Sequence, residues 1–358
     1  MEKRTIAIIF GGHSAEYYVS CMSAANVVTN IDLDKYNVEK LGITEDGKWI
    51  LTQASAEEIH DGTTWLKRED NCSAVISPNR NEQTLLVFRD GTVTEKKIDG
   101  VFCVIHGTDG EDGKVQGLLE LANMPYVGCG IAASAVGFDK ALTKDIVATT
   151  GIPQADFWIV REQTFEKEDI DRISMYFDER YPLFVKPARA GSSVGVSKVN
   201  CKEELEAAIR LGFTVDSKLL VEQGIIGREL EIAVLGTKDP KASSIGEILA
   251  HGEFYTYDSK YNDNESRTRV VDDIGPEVVE AMREAALKIY KRLECEGLSR
   301  VDFFLQEDGK YVFNEINTLP GFTSISMYSQ LWEHDGISYQ ELITRLIEDA
   351  FASPKKIN

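Results

Sequence analysis

Residues 300–317 read RVDFFLQEDGKYVFNEIN, two apolar runs separated by one Asp-Gly pair. An Asp-Gly pair in this setting is the strongest short signal for a β-hairpin with a two-residue type I′ turn. With that turn, Asp302 lies directly opposite Glu315, and Arg300 lies opposite Asn317. Side chains alternate along a strand, so these four share one face, with opposed Cβ atoms about 5 Å apart.

This hairpin face has the composition of a metal site. Two carboxylates so close together repel one another unless a cation lies between them. Asp302 and Glu315, with the amide oxygen of Asn317, are hard oxygen ligands that suit Mg²⁺ shared with phosphates. The alternative is a solvated face with ordinary surface charges. The facing acids, flanked by Arg300 on an otherwise apolar hairpin, favour the metal site.

A glycine-rich hairpin lies upstream. Leu183–Lys186 and Gly195–Val199 read as strands joined by the segment PARAGSS. The N–H groups of glycine turns bind anions, and Lys186 supplies a point charge for phosphate. GxxxxGK[ST] is absent and a strand follows the glycines, which excludes a Walker A loop. A plain glycine hairpin is the alternative, and the acidic hairpin downstream favours phosphate binding.

The N-terminus alternates strands, glycines and helices. Thr5–Phe10 reads as a strand followed by a Gly-Gly turn and a helix, and Gly100–Ile105 reads as a strand followed by a helix near 114–122. This alternation predicts a small parallel α/β domain. The GxGxxG fingerprint of dinucleotide-binding folds is not matched, which disfavours such a cofactor.

Two polar side chains follow these strands. Glu16, near a helix start, would repel phosphate and suits an ammonium group, although stabilisation of the helix dipole is favoured on this segment alone. His106 follows the second strand, at the edge where ligands meet a parallel sheet. A hydrogen-bonded core histidine is the commoner case.

The rest of the chain is predicted to form two α+β parts. Its helices are expected at about 131–150, 202–210 and 276–293. Strands dominate from Leu219 onward, interrupted by a tyrosine-rich loop at 255–264 that suits a lid or an exposed loop. We expect domains at 1–125, 126–213 and 214–358.

The composition excludes several classes of protein. The chain has 358 residues and a net charge of −20, so it is a poor general binder of nucleic acid or anionic membranes. Six scattered cysteines without a CxxC pair indicate reduced thiols, not a disulfide framework or a zinc site. No apolar run approaches the roughly 18 residues of a membrane span, so we expect a cytoplasmic protein.

Several motifs resemble those of the D-alanine–D-alanine ligases of the ATP-grasp superfamily, in the same order and over nearly the whole chain. They are GGHSAEYYVS, HGTDGEDGKVQG, FVKPARAGSSVGVSKV, YDSKY, SRVDFF and NEINTLPGFTSISMY. The resemblance implies a three-domain ATP-grasp fold, in which a small parallel α/β domain precedes two α+β domains that clamp ATP. It also implies ligation of two D-alanines through an acyl phosphate, for peptidoglycan precursor synthesis, and a homodimer.

The resemblance assigns the nucleotide and metal ligands by motif. It implies two Mg²⁺ ions, with Mn²⁺ able to substitute, held by Asp302, Glu315 and Asn317. The implied ATP-binding residues are Lys140, Lys186, Gly191, Ser193, Glu222, Gln223, Ile225 and Glu229.

The substrate roles follow from the same resemblance. Glu16 would hold the ammonium group of the first D-alanine, in a hydrogen-bonded set with Ser192 and Tyr261. Arg300 and the N–H of Gly321 would stabilise the developing oxyanion. The remaining implied substrate contacts are His106, Lys260, Ser326 and Met327, of which Lys260 and Ser326 would bind the second substrate's carboxylate.

Two other functions compete with this one. The first is a ligase of the vancomycin-resistance type, with D-serine or D-lactate as the acceptor; the second is a non-catalytic nucleotide-binding module. Tyr261 matches the D-alanine enzymes, and Met327 is apolar where serine-specific relatives carry an arginine. We therefore expect D-alanine to be preferred over D-serine, and D-lactate to be used poorly near neutral pH. An intact Arg300 beside the metal residues argues against a pure binder.

Overall fold

The computed structural model describes residues 2–249 and 267–352, which form three β-sheets. The strands of the first sheet are β1 (Arg4–Gly11), β2 (Tyr36–Ile43), β3 (Trp49–Thr52), β4 (Cys72–Ile76), β5 (Thr84–Arg89), β6 (Thr92–Lys97) and β7 (Gly100–Cys103). Their order in the sheet is β6-β5-β4-β3-β2-β1-β7.

The first sheet is mixed. The predicted parallel arrangement is confirmed for β1, β2 and β7, whereas β3 to β6 extend the sheet as an antiparallel meander. Only residues 44–48 separate β2 from β3. A parallel crossover needs a dozen or more residues, so the chain has to turn back at this point.

Helices cover both faces of this sheet. They are α1 (Tyr17–Asn30), α2 (Ala56–His60) and α3 (Lys114–Leu121), together with the C-terminal α9 (Met327–His334) and α10 (Tyr339–Ala352). One apolar core joins β1 to α1, α9 and α10, and a second lies under α3. The C-terminal helices therefore pack on the N-terminal sheet and tie the two ends of the described chain together.

The second sheet is antiparallel and carries the glycine-rich hairpin. Its strands are β8 (Phe157–Arg161), β9 (Leu183–Pro187), β10 (Ser197–Val199) and β11 (Lys218–Gln223), in the order β10-β9-β11-β8. Helices α6 (Asp169–Tyr176) and α7 (Lys202–Gly212) pack on one face. The predicted pairing across the glycine loop is confirmed by β9 and β10.

The division into 1–125, 126–213 and 214–358 stays a prediction. Because β11 belongs to the second sheet but follows residue 213, we propose that the second boundary lies after Gln223.

The third sheet forms the floor of the main cleft. Its strands are β12 (Arg228–Leu235), β13 (Lys241–Leu249), β14 (Arg267–Val270), β15 (Leu298–Leu305) and β16 (Tyr311–Asn317), in the order β14-β13-β12-β15-β16. Helix α8 (Pro276–Arg292) packs on one face through an apolar core. The opposite face carries the polar residues described below.

The predicted register of β15 and β16 is confirmed at the end that matters for function. Arg300 pairs with Asn317, and Asp302 pairs with Glu315. Between Asp302 and Phe303 the register shifts by one residue, which marks a β-bulge.

The predicted two-residue turn of this hairpin is wrong. Gly309 N–H donates to Gln306 O at 3.0 Å, and Gln306 N–H donates to Lys310 O at 2.8 Å, so residues 307–309 form a three-residue loop. Gly309 has a φ of +79°, as the last position of such a loop requires. The bulge compensates for the longer turn, and the two deviations together restore the predicted pairing.

The helix predicted over 131–150 is divided in two. The structure has α4 (Ile131–Phe138) and α5 (Lys140–Ala148), with Asp139 in an extended conformation between them. Asp139 caps α5 by accepting a hydrogen bond from Leu142 N–H, as aspartate commonly does at a helix start.

Two sequence-based exclusions can be compared with the fold. In residues 2–249 and 267–352, no helix combines the length and the apolar character needed to cross a membrane. All six cysteines lie in these ranges, and none forms a disulfide.

Candidate active site

A cleft of about 890 Å³ lies where the three sheets meet. Its walls are the exposed face of the third sheet, the glycine-rich loop between β9 and β10, and the loops that follow β1 and β7. Every predicted site residue that the structure describes lines this cleft, apart from Asp302, which is buried in its floor. Lys260 and Tyr261 lie outside the described residues.

Charged side chains converge on the floor because three strands present them in register. Glu231 of β12 pairs with Asp302 of β15, which in turn pairs with Glu315 of β16. Cross-strand partners point to the same face, so three acids form a row across the sheet. Arg300 and Asn317 form the neighbouring row.

The Arg300 guanidinium joins this row of acids. Its Nε and Nη2 donate to the two oxygens of Asp302 at 2.8 and 2.7 Å, and Nη2 lies 3.1 Å from Glu231 Oε1. Burial alone would lower the pKa of Arg300, but Asp302 and Glu231 together hold it above its ordinary value. The arginine is therefore a fixed cation.

The metal-ligand prediction can be tested against the donor chemistry. Among residues 2–249 and 267–352, no cluster of three or more acidic, histidine or cysteine side chains is arranged to hold a metal. The predicted set has two carboxylates, Asp302 and Glu315, and the amide Asn317, whose Nδ2 donates to Asp302 Oδ2 at 3.0 Å. These adjacent hard oxygen donors fit Mg²⁺ that is shared with phosphates.

A buried carboxylate lies between two lysines at the other end of the cleft. Glu222 accepts a hydrogen bond from Lys186 Nζ at 2.5 Å and forms an ion pair with Lys144. Burial would raise the pKa of Glu222, but the two ammonium groups outweigh it and lower the pKa to about 2. Burial likewise opposes the charge of Lys186, yet Glu222 raises its pKa.

Lys140 bridges the glycine loop and the acidic hairpin. Its Nζ donates to Ala190 O at 2.8 Å and lies 3.6 Å from Glu315 Oε2. Lys140 is the first residue of α5 and Lys144 lies one turn later, so both face the same side of the helix. Lys140 lines the cleft, whereas Lys144 is buried and pairs with Glu222.

Glu16 is held between two loops. Ser192 Oγ donates to Glu16 Oε1 at 2.5 Å. A Cβ atom at Gly107 or Gly191 would lie 2.7 or 2.8 Å from Glu16 Oε2, so the backbone approaches the carboxylate closely on both sides. Ser192 itself has a φ of +50°, a conformation that side chains rarely adopt.

His106 is buried, with both ring nitrogens engaged. Nδ1 lies 3.1 Å from the carbonyl of Leu319, and Nε2 lies 2.9 Å from Ser23 Oγ. A carbonyl can only accept, so Nδ1 carries the proton in this pairing. Burial lowers the pKa of His106, and the neutral ring ties the first sheet to the loop after β16.

Glu111 lies beside these residues and was not predicted from the sequence. Its Oε1 accepts a hydrogen bond from Gly107 N–H at 3.0 Å. Burial, reinforced by the nearby Glu16, raises the pKa of Glu111 to about 8. The cleft therefore contains a carboxyl group that changes charge near neutral pH.

The last part of the cleft is formed by the start of α9. Ser326 Oγ lies 2.8 Å from Thr323 Oγ1 and accepts from Thr323 N–H at 2.9 Å. Met327 is buried and packs flat on Gly246 of β13, where a Cβ atom would overlap the sulfur. Gly321 also lines this part of the cleft.

The remaining predicted nucleotide residues line the cleft between the second and third sheets. They are Gly191, Ser193, Gln223, Ile225 and Glu229. Sequence reasoning missed Lys144, Glu231, Glu111 and Thr323. Lys144 carried a signal because it lies one helical turn after Lys140. Glu111 and Thr323 also carried one, since they lie within the quoted motifs HGTDGEDGKVQG and NEINTLPGFTSISMY, whereas Glu231 carried none.

Two family descriptions match the chain. "D-ala D-ala ligase N-terminus" matches residues 5–129, and "D-ala D-ala ligase C-terminus" matches residues 146–348. Together they cover most of the sequence.

Curated relatives are similar over nearly their whole length. The D-alanine–D-alanine ligase of Acetivibrio thermocellus is 46% identical, covering 97% of this chain and 96% of the relative. That of Caldicellulosiruptor bescii is 45% identical, covering 97% and 95%.

Solved structures share the fold. The D-alanine–D-alanine ligase of Coxiella burnetii superposes with a TM-score of 0.87 at 34% identity, covering 98% of this chain and 95% of that one. The VanG D-Ala:D-Ser ligase of Enterococcus faecalis superposes with a TM-score of 0.86 at 37% identity, covering 98% and 100%.

Proposed function

The chain belongs to the D-alanine–D-alanine ligase family of ATP-grasp enzymes in peptidoglycan synthesis, and we propose that its cleft joins the two D-alanines through an acyl phosphate. The observation that carries this proposal is the convergence of charges in one cleft. Lys140, Lys186 and Arg300 lie around the acidic face that carries Glu315, and Glu16 lies on the facing loops.

The first step needs a bound ammonium group and a neutralised phosphate. Glu16, fixed by Ser192, would hold the ammonium of the first D-alanine. A carboxylate oxygen of this D-alanine attacks the γ-phosphorus of ATP, a P–O bond forms, and the bond to the ADP oxygen breaks. Lys140 and Lys186 would neutralise the phosphates during this transfer.

Magnesium belongs to this proposal. Two Mg²⁺ ions, replaceable by Mn²⁺, would be held by Asp302, Glu315 and Asn317 and would supply positive charge to the β- and γ-phosphates of ATP. The acid row and its amide support this assignment by donor type.

The second step builds negative charge on the acyl oxygen. The amine of the second D-alanine attacks the acyl carbon, and phosphate leaves as the tetrahedral intermediate collapses to the peptide bond. Arg300 and the Gly321 N–H would stabilise the oxyanion. Ser326 and Lys260 would bind the acceptor's carboxylate, and Tyr261 would complete the set with Ser192 and Glu16.

The acceptor is proposed to be D-alanine. Met327 presents an apolar side chain to this end of the cleft, where the hydroxyl of D-serine would lose water without a partner, at a cost of about 1–3 kcal/mol. D-Serine remains the second candidate because the VanG D-Ala:D-Ser ligase superposes over 98% of this chain.

Two assays test the proposal. ADP release should require D-alanine, whereas D-alanine-independent release, or none at all, would favour the nucleotide-binding module. With equal D-alanine and D-serine, the product should be mostly D-alanyl-D-alanine. A mainly mixed D-alanyl–D-serine product would overturn the assignment of Met327.

Assembly and location complete the proposal. We propose a cytoplasmic homodimer, as in the family. Light scattering behind size-exclusion chromatography would give a mass near twice the 39.9 kDa of one chain, and a monomer mass would contradict it.

A further inference from the structure

Arg300 has two carboxylate partners on different strands. Asp302, two residues along β15, takes two of its hydrogen bonds, at 2.8 and 2.7 Å. Glu231, on the adjacent strand β12, lies 3.1 Å from Nη2. The guanidinium is thus held from two directions.

The two carboxylate partners of Arg300 differ because only Asp302 is also a proposed metal ligand. Asp302 already accepts two hydrogen bonds from Arg300 and one from Asn317. A divalent cation bound to Asp302 would repel the Arg300 guanidinium and so weaken the hydrogen bonds that Arg300 donates to this carboxylate. Arg300 would then be left on Glu231.

Glu231 lies in the sheet where it can hold the Arg300 guanidinium in this way. Its side chain is only 4% exposed, and it pairs with Asp302 on one side and Gly246 on the other. Because Gly246 has no side chain, the apolar side chain of Met327 packs over it, next to Glu231. A carboxylate buried beside apolar groups needs a cation, and Arg300 forms an ion pair with Glu231.

We infer that Glu231 is a positioning residue that holds Arg300 toward the acyl oxygen and so releases Asp302 to bind the cation. The inference rests on the proposed function, in which Asp302 is a metal ligand. Without Glu231, Arg300 would pair with Asp302 alone and compete with the cation.

The test measures Mn²⁺ binding without turnover. Mn²⁺ is titrated into the full-length enzyme with ADP, free Mn²⁺ is read by electron paramagnetic resonance, and a protein-free titration corrects for Mn²⁺ held by ADP. Glu231→Gln should bind Mn²⁺ about tenfold more weakly than wild type. Glu231→Asp, which keeps the charge, should lie between the two.

A matched control and a double-mutant cycle separate the mechanism from general damage. Glu247 is buried in the same sheet and pairs with Arg228 and Arg269, so Glu247→Gln should keep Mn²⁺ affinity within about twofold of wild type. In an Arg300→Met background, Glu231→Gln should change Mn²⁺ affinity by less than about twofold, because the guanidinium that Glu231 positions is absent.

Two results would overturn the inference. One is a wild-type Mn²⁺ affinity in Glu231→Gln. The other is an equal loss of Mn²⁺ affinity from Glu231→Gln in the wild-type and Arg300→Met backgrounds, which would mean that Glu231 acts only through its charge. Should Glu231→Gln not fold, wild-type affinity in Glu231→Asp would also overturn it. If wild type binds no Mn²⁺ beyond that held by ADP, the proposed metal site itself fails.

Discussion

Replacing Lys144 by methionine should weaken both the fold and ATP binding. Lys144 is buried and forms an ion pair with Glu222, which also bonds to Lys186. Methionine keeps an apolar stem beside Phe157, whose ring lies 5.5 Å from Lys144 Nζ. The substitution therefore removes the charge with little change in packing.

The magnitude follows from the pKa of Glu222. The two lysines lower this pKa from 4.5 to about 2 against the cost of burial, which corresponds to about 3 kcal/mol of net stabilisation of the carboxylate. Leaving a buried charge wholly unpaired costs about 3–5 kcal/mol. Since Lys186 remains, we expect Lys144→Met to lower the free energy of unfolding by about 2 kcal/mol at pH 7.

The expected loss of ATP affinity has the same cause, which is the missing charge of Lys144. With Lys144 absent, Lys186 alone balances Glu222 and offers less positive charge to the phosphates. The KM for ATP should rise by about tenfold, while the KM for D-alanine changes little.

Urea unfolding and steady-state kinetics measure the two effects. Lys288→Met is the matched control, since Lys288 Nζ donates to Thr150 O at an exposed site, and it should change stability by less than about 0.5 kcal/mol. A Lys144→Met enzyme with the stability and the KM for ATP of the control would refute the argument.

Three further predictions concern other parts of the cleft. Glu315→Gln removes a carboxylate of the metal set and should abolish ligation with the fold intact by circular dichroism; near-wild-type turnover in saturating Mg²⁺ would contradict the metal assignment. Ser192→Ala removes the 2.5 Å hydrogen bond to Glu16 and should raise the KM for the first D-alanine by about tenfold, so an unchanged KM would exclude this pairing. Glu111 has a pKa raised from 4.5 to about 8, so the folded state binds this proton more tightly than the unfolded chain, and wild type should lose stability between those pH values. Glu111→Gln should lose less stability over that interval, and parallel pH curves in urea unfolding would contradict this.

The sequence predicted two of the three acids in the row because strand periodicity depends only on local spacing. Asp302 and Glu315 belong to one hairpin, so a turn signal was enough to pair them. The turn was nevertheless wrong, because Gly309 alone has a positive φ and a β-bulge corrects the register. The bulge lies between Asp302 and Phe303 of the same hairpin, and no residue there signals it in the sequence.

The residues that sequence reasoning missed act through distant contacts. Glu231 meets Arg300 only because β12 and β15 are neighbours in the sheet, and Lys144 meets Glu222 only because α5 packs against β11. Such pairs follow from the tertiary arrangement, which has no local pattern. The family resemblance likewise assigned roles to the motif positions but not to these partners.

Oxygen transfer from D-alanine to phosphate tests the acyl phosphate mechanism most directly. The enzyme is supplied with ATP, Mg²⁺ and D-alanine carrying ¹⁸O in both carboxylate oxygens, and the inorganic phosphate is examined by ³¹P NMR. Each phosphate released should carry one ¹⁸O atom, with D-alanyl-D-alanine formed in equal amount. Unlabelled phosphate accompanying the dipeptide, or labelled phosphate released without dipeptide, would contradict the mechanism.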